Sequence, residues 1–234
     1  MSYKTTIKCF SEKNTMSEYK NFRLYVDGIG YPNTGRYFET DHQLKGKRHI
    51  YALVRGDSNK KVCSFLNNEH LNECVNQSKD EIITYLEEMM LGAYNASASE
   101  NTGEHSAAVI YVENGEIYAA GFGESCVYSF SDDLKTAEKF NTSENNIRAV
   151  HIGNVSQCNK YLLSVSPATE TLPAAKLTRF FSDDTEKAID MYDEVSETNS
   201  EEHLVTASVS FEKNVRTYDV KIVIACILIL LLAV

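Results

Sequence analysis

The sequence predicts an α+β sandwich, and three observations carry that expectation. Strand-like runs come in groups, first over residues 3–10, 21–26 and 49–54, then as a tight meander over 106–130. Two stretches of helical period stand together between those groups, at about residues 58–95. A second pair, at 174–181 and 184–195, precedes a closing strand at 204–211. Helices grouped in this way do not supply the crossovers that a parallel sheet demands, so strands and helices are expected to segregate into layers.

Each element has a local reason. Residues 3–10 and 21–26 are short alternating runs, the second closed by Asp27-Gly28. His49-Ile50-Tyr51-Ala52-Leu53-Val54 is continuously apolar and stops at Arg55-Gly56, the pattern of a buried central strand. Val62, Phe65 and Leu66, then Ile82, Ile83, Leu86, Met89 and Met90, recur at three- and four-residue spacing, which predicts two amphipathic helices. Residues 95–103 are small and polar, as in a loop. Strands are expected at 106–112, 116–120 and 126–130, with Asn114-Gly115 as the hairpin signal between the first two. Residues 131–146 are charged and poorly patterned. Residues 150–155 and 161–165 read as strands, and Asp183-Asp184 is placed to cap the last helix. No internal repeat or low-complexity block interrupts the chain.

Composition excludes several classes. A chain of 234 residues that is 43% apolar and 24% charged is neither disordered nor fibrous. Its net charge of −10 argues against nucleic acid, which requires a concentrated basic surface. The six cysteines (Cys9, Cys63, Cys74, Cys126, Cys158, Cys226) are scattered with no C-x-x-C pair, so reduced thiols in a cytosolic setting are expected. The first twenty residues are polar and show no signal-peptide pattern. In this Asn- and Ser-rich chain the sequons at Asn76, Asn95, Asn141 and Asn154 are read as chance. Residues 222–234 are different: thirteen residues without a polar side chain, preceded by Lys213, Arg216 and Lys221. A full span needs about 20 apolar residues, so either the span is marginal or the chain continues past Val234. The expected organisation is a domain at 1–212, a short basic juxtamembrane linker at 213–221 and a hydrophobic segment at 222–234. The flanking cations keep the domain on the cytoplasmic side.

Common catalytic motifs are absent. There is no phosphate-binding P-loop, no G-x-S-x-G and no H-E-x-x-H, and Gly28-Ile29-Gly30 is a lone fragment. The six histidines form no i, i+4 pair, and a lone strand histidine such as His151 reads as a surface or satisfied residue. The basic cluster Lys45 to His49 reads as a solvated loop.

Glycine and small-residue turns at strand ends are more informative. Gly103-Glu104-His105-Ser106-Ala107-Ala108-Val109-Ile110, followed by Gly115-Glu116-Ile117-Tyr118-Ala119-Ala120-Gly121-Phe122-Gly123-Glu124-Ser125-Cys126-Val127-Tyr128, resembles the G-T-T-A … V-G-D-S-R stretch of the metal-dependent, PPM-type (type 2C) protein serine/threonine phosphatases. Residues 49–56 resemble that family's strand ending in Asp-Gly, with two helices after it. Residues 161–167 resemble its Leu-rich strand before Ser-Asp-Gly, and 202–211 its closing strand after Asp-Asn. The resemblance spans roughly residues 3–212 in the family's order. It implies a four-layer α-β-β-α sandwich and a site in which strand-end aspartates hold two Mg²⁺ or Mn²⁺ ions that activate water.

The departures from that pattern are concentrated at the implied ligands. Arg55-Gly56 stands at the Asp-Gly position, Pro167 at the Asp of Ser-Asp-Gly, Glu202 or His203 at the Asp of Asp-Asn, and Glu124 at the Asp of Gly-Asp-Ser. A guanidinium about 4 Å from a dication costs on the order of several kcal/mol even at an effective dielectric near 20. Asp27-Gly28-Ile29-Gly30 is the alternative match to Asp-Gly-x-Gly, but it is followed by Pro32, Gly35 and Gly46 rather than by helical period. The expectation is therefore a membrane-tethered pseudophosphatase with no catalytic residue and no metal, whose partner is a phosphoprotein, a kinase or another protein. Two alternatives stay open: a divergent active phosphatase using Asp27 with Mn²⁺ or Mg²⁺, and a structural domain of a larger membrane protein.

Overall fold

In a computed structural model of the chain, the described residues are 3–11, 15–19, 22–27, 36–43, 48–55, 61–69, 78–98, 105–131, 133–134, 137–142, 147–165, 169, 172–181, 190 and 206–213. The hydrophobic tail, the Asp183-Asp184 cap and the expected helix at 184–195, apart from residue 190, lie outside them. Among the described residues no helix is long and apolar enough to cross a membrane.

The strands are β1 (Tyr3–Ser11), β2 (Thr15–Tyr19), β3 (Phe22–Asp27), β4 (Arg36–Gln43), β5 (Arg48–Arg55), β6 (Ser106–Glu113), β7 (Glu116–Phe122), β8 (Ser125–Phe130), β9 (Ala137–Thr142), β10 (Arg148–Asn154), β11 (Lys160–Ser164) and β12 (Thr206–Lys213). The helices are α1 (Lys61–Glu69), α2 (Lys79–Ala98) and a short α3 (Ala174–Leu177) that tightens into a 3-10 turn over Thr178–Phe181. The strands build two six-stranded sheets, ordered β4-β1-β12-β11-β8-β9 and β10-β7-β6-β5-β3-β2. We call them sheets A and B.

Period-two alternation explains why β5 and β6 read as unbroken apolar runs. Ile50, Ala52 and Val54, with Ala107, Val109 and Tyr111, face α1 and α2, where Val62, Leu66, Ile82, Leu86 and Met90 complete one core. The intervening residues Tyr51, Leu53, Ala108, Ile110 and Val112 face sheet A and pack on Ile7, Tyr161, Leu163, Val209 and Phe211. A strand covered on both faces has no polar position to alternate with. Sheet A has its own outer layer, in which Cys126, Tyr128, Phe130 and Leu162 pack against Leu177 and Phe180. An edge-to-face contact of Phe211 with Tyr51, at 6.1 Å, joins the two sheets, and a second with Tyr161, at 5.9 Å, links neighbouring strands of sheet A.

The β6–β7 hairpin turns through Asn114 at φ 52° and Gly115 at φ 87°, the doubly left-handed geometry that this residue pair selects. Helix α2 begins with a reciprocal cap: the Ser78 amide donates to Glu81 at 2.7 Å, and the Glu81 amide to the Ser78 hydroxyl at 3.4 Å.

The expectation of segregated layers needs one correction. β3 and β5 are neighbours and parallel, while the other strand pairs in these sheets are antiparallel. The described part of the crossover between them is a strand. It runs through β4, which pairs with β1 in the opposite sheet.

Candidate functional site

The register gathers strand ends at one end of the sandwich. In sheet B, Asp27 of β3 is the register partner of Arg55, Arg55 of Ser106, and the next residue, Ala107, of Phe122. In sheet A, Phe10 pairs with Thr206, Thr206 with Ser164, and Ser164 with Cys126. Residues 123–124 carry the chain from β7 in sheet B to β8 in sheet A, so both sets of strand ends belong to the same end of the molecule.

Gly123 makes that crossing possible. It adopts φ +68°, and a Cβ there would stand 2.3 Å from the backbone oxygen of His105. Only glycine lets this turn lie so close to the start of β6. The Ser125 amide then donates to the Gly123 carbonyl at 2.8 Å, closing a three-residue turn with half-buried Glu124 at its centre.

Buried hydroxyls line the strand ends. Ser106, Ser125 and Thr206 open their strands and Ser164 closes its own, and all four are buried. Buried Thr169 donates from Oγ1 to Ser164 Oγ at 2.7 Å and accepts from Tyr128 OH through its carbonyl at 3.2 Å. His105, which precedes β6, has both ring nitrogens buried without a hydrogen-bond partner. The sequence reading did not single out Thr169 or the His105 side chain as site residues. The serine at each strand end was the available signal, and for Thr169 there was none.

Of the residues singled out from sequence, Arg55 and Glu124 are both half-buried, at strand ends on this one end of the fold. Asp27 occupies the backbone position beside Arg55, so the two alternatives for the Asp-Gly match are neighbours across a parallel pair rather than distant rivals. Gly56, Pro167, Glu202 and His203 lie outside the described residues. Among the described residues, no three His, Cys, Asp or Glu side chains group in a way that could hold a metal ion. The described side chains at this end offer one carboxylate, Glu124, beside neutral hydroxyls and the Arg55 cation. Paired hard cations need several oxygen ligands, and this described set does not fit them.

A second polar cluster lies at the opposite end, where sequence reading had no motif to follow. Glu116 Oε2 stands 3.0 Å from Lys79 Nζ and 2.6 Å from His151 Nε2, and Glu116 Oε1 accepts from Asn154 Nδ2 at 3.0 Å. The hydrogen bond from Lys79, with those from His151 and Asn154, lowers the Glu116 pKa below its ordinary 4.5, while partial burial opposes the shift. His151 is thus a satisfied residue, as its isolation in the sequence suggested. At the same end, buried Glu113 accepts from Tyr111 OH at 2.6 Å and pairs with Arg48 Nε at 2.7 Å.

No family model and no curated protein sequence matches the chain. Solved structures do. The serine/threonine phosphatase PstP/Ppp of Mycobacterium tuberculosis superimposes with a TM-score of 0.52 at 11% identity, over 72% of this chain and 90% of that one. A bacterial serine phosphatase aligns at 0.48 and 9% identity, over 72% and 87%. PppA, described as a key regulatory component of the T6SS in Pseudomonas aeruginosa, aligns at 0.47 and 8%, over 71% and 86%. The superposition on the mycobacterial enzyme carries the structural conclusion: this chain has the fold of the PPM-type serine/threonine phosphatases.

Proposed function

We propose that the chain is a phosphatase-like module that binds a phosphorylated protein without hydrolysing it, held at a membrane by residues 222–234. The observation that carries this reading is Arg55, half-buried at the end of central strand β5, where the resemblance implies a metal-holding aspartate. A guanidinium there opposes a dication and suits a phosphoryl group, to which it donates paired hydrogen bonds. The buried hydroxyls of Ser106 and Ser125 open strands of the two facing sheets at the same end, and a hydroxyl can donate to an anion without adding negative charge. In this reading residues 1–212 form the binding domain on the cytoplasmic side and 213–221 the basic linker to the anchor. The partner is a phosphoprotein or a kinase. Regulatory roles among fold neighbours such as PppA are compatible with a protein partner.

One observation favours a second reading. Asp27 sits in register beside Arg55, so a carboxylate position is present at that strand end for an active enzyme using Mn²⁺ or Mg²⁺. A structural role within a larger membrane protein is the third reading, and an inert, non-binding domain is its signature.

The experiment measures two things on the full chain. Turnover of p-nitrophenyl phosphate and of a phosphothreonine peptide, with millimolar Mn²⁺ or Mg²⁺, is expected to be absent. Binding of the same peptide is expected to fall in Arg55→Ala. Metal-dependent release above a Glu124→Ala control, abolished by Asp27→Asn, would replace this reading with the active one. Neither turnover nor binding would leave the structural reading.

A further inference from the structure

The sandwich has an open flank. β9 is the last strand of sheet A and β10 the last of sheet B, and a cavity of about 380 Å³ lies between strands β7 and β10 on one side and β8 and β9 on the other. Its floor includes Ala119, Val127 and Val150. Ala119 and Val127 belong to the core between the sheets, and Val150 packs partly buried against it. The cavity is therefore an unfilled margin of that core, kept open because Ala119 contributes a single methyl group.

Three charged residues line it, Arg148, Glu138 and Lys139, and the Lys139 ammonium stands over the Tyr128 ring, 5.7 Å from its centroid, on the outer-layer side of sheet A. Arg148 precedes Val150 by two residues on β10, and Glu138 lies across on β9; both line the cavity and both are exposed. Among the described residues no ion pair joins them. A space of this size is within the range that takes small organic ligands, which characteristically meet an apolar floor and a few oriented polar groups.

We infer that this flank binds an apolar monoanion: an aromatic or short acyl body on the Ala119, Val127 and Val150 floor, with its carboxylate at the Arg148 guanidinium. Glu138 sets the specificity. A second negative charge on the far end of the ligand would meet that carboxylate, so a monoanion binds and a dianion of the same shape is rejected. Ser125, one of the strand-end hydroxyls of the phosphoprotein reading, also lines this cavity, but Arg55 and Ser106 do not, and the variants that test this site leave all three residues untouched, so the two readings are tested separately.

Three probes on the full chain test it by fluorescence titration: 2-naphthoate, neutral 2-naphthylmethanol and 2,6-naphthalenedicarboxylate. Saturable naphthoate binding is expected at roughly 0.1–1 mM, given so small a ligand. Arg148→Glu should weaken naphthoate by about five-fold or more and leave the alcohol unchanged. Glu138→Gln should bring the dicarboxylate towards the affinity of naphthoate. Ala119→Leu should abolish binding of all three by filling the floor, with Val150→Phe as a second filling variant should the first fail to fold. The inference is overturned if naphthoate shows no saturable binding, if Arg148→Glu weakens the alcohol equally, or if binding survives in a folded filling variant.

Discussion

The two ends of the sandwich solve the same problem in opposite ways. At the hairpin end, polar groups are charged and committed to one another: Arg48 with Glu113 and Tyr111, and Lys79 with Glu116, His151 and Asn154. At the other end the buried polar groups are mostly hydroxyls, set at the first or last residue of a strand, with Arg55 and Glu124 half-buried among the strand ends. A buried charge must find a partner or be costly, so the first end is fixed once folded. Hydroxyls donate and accept at modest cost and can turn towards an incoming group. The contrast separates an end that holds the molecule together from an end that can receive something.

The largest expected effect breaks the fixed end. Glu113→Ala leaves the partly buried Arg48 guanidinium and the buried Tyr111 hydroxyl without their shared acceptor, and should cost about 3–5 kcal/mol in urea unfolding. If the ends are independent, the folded fraction should still bind a phosphothreonine peptide as the parent does. Gly123→Ala attacks the crossing that carries Glu124. A left-handed conformation and a Cβ 2.3 Å from a carbonyl oxygen should together cost about 3 kcal/mol. Here the loss of stability should be accompanied by loss of peptide binding, and retention of binding would separate the turn from the site.

Ser164→Ala is milder. It removes the acceptor of the Thr169 hydroxyl, 2.7 Å away in a buried setting, and about 1 kcal/mol is expected. The smallest effect concerns pH. The pKa of Glu116 is lowered from 4.5 in the folded protein, so its stabilising contribution is complete above that value and is lost as pH falls through the lower folded value. Glu116 is about one-third exposed, and the pair should contribute under ~1 kcal/mol. Melting temperatures followed from pH 6 to pH 3 should fall less steeply in Glu116→Gln than in the parent. Parallel slopes would show that the Lys79–Glu116–His151 cluster is electrostatically idle.

The core strands were legible in the sequence because burial writes itself as composition. β5, β6, β7, β8, β11 and β12, together with α1 and α2, were anticipated to within a few residues, as was the Asn114-Gly115 turn. β2, β4 and β9 were not. All three are sheet edges, and Arg36–Gln43 and Ala137–Thr142 are polar sequences whose extended form comes from pairing with a partner strand. No hydrophobic period marks a strand that is stabilised in that way. The parallel pair of β3 and β5 escaped for a related reason: its connection passes through the other sheet, where a helix was the expected sign. At the candidate site, glycines and serines at strand ends marked the end of the molecule where Arg55 and Glu124 stand. Asp27 and Arg55 were weighed as competing matches, because adjacency across a parallel register cannot be seen along the chain.

The pairing of β1 with β12 has a consequence in time. Residues 3–10 lie in register against 206–213, so the first strand made must wait for the last before its inner edge is covered. Between them the chain crosses from sheet to sheet six times, and neither sheet can be finished while the other is missing. Contacts this distant in sequence demand costly loop closure before they are rewarded, and folding slows accordingly. During synthesis β1 and β4 can form an antiparallel ladder early, but that ladder keeps an open edge until β12 emerges. A chain interrupted before residue 206 would therefore expose that edge to other chains.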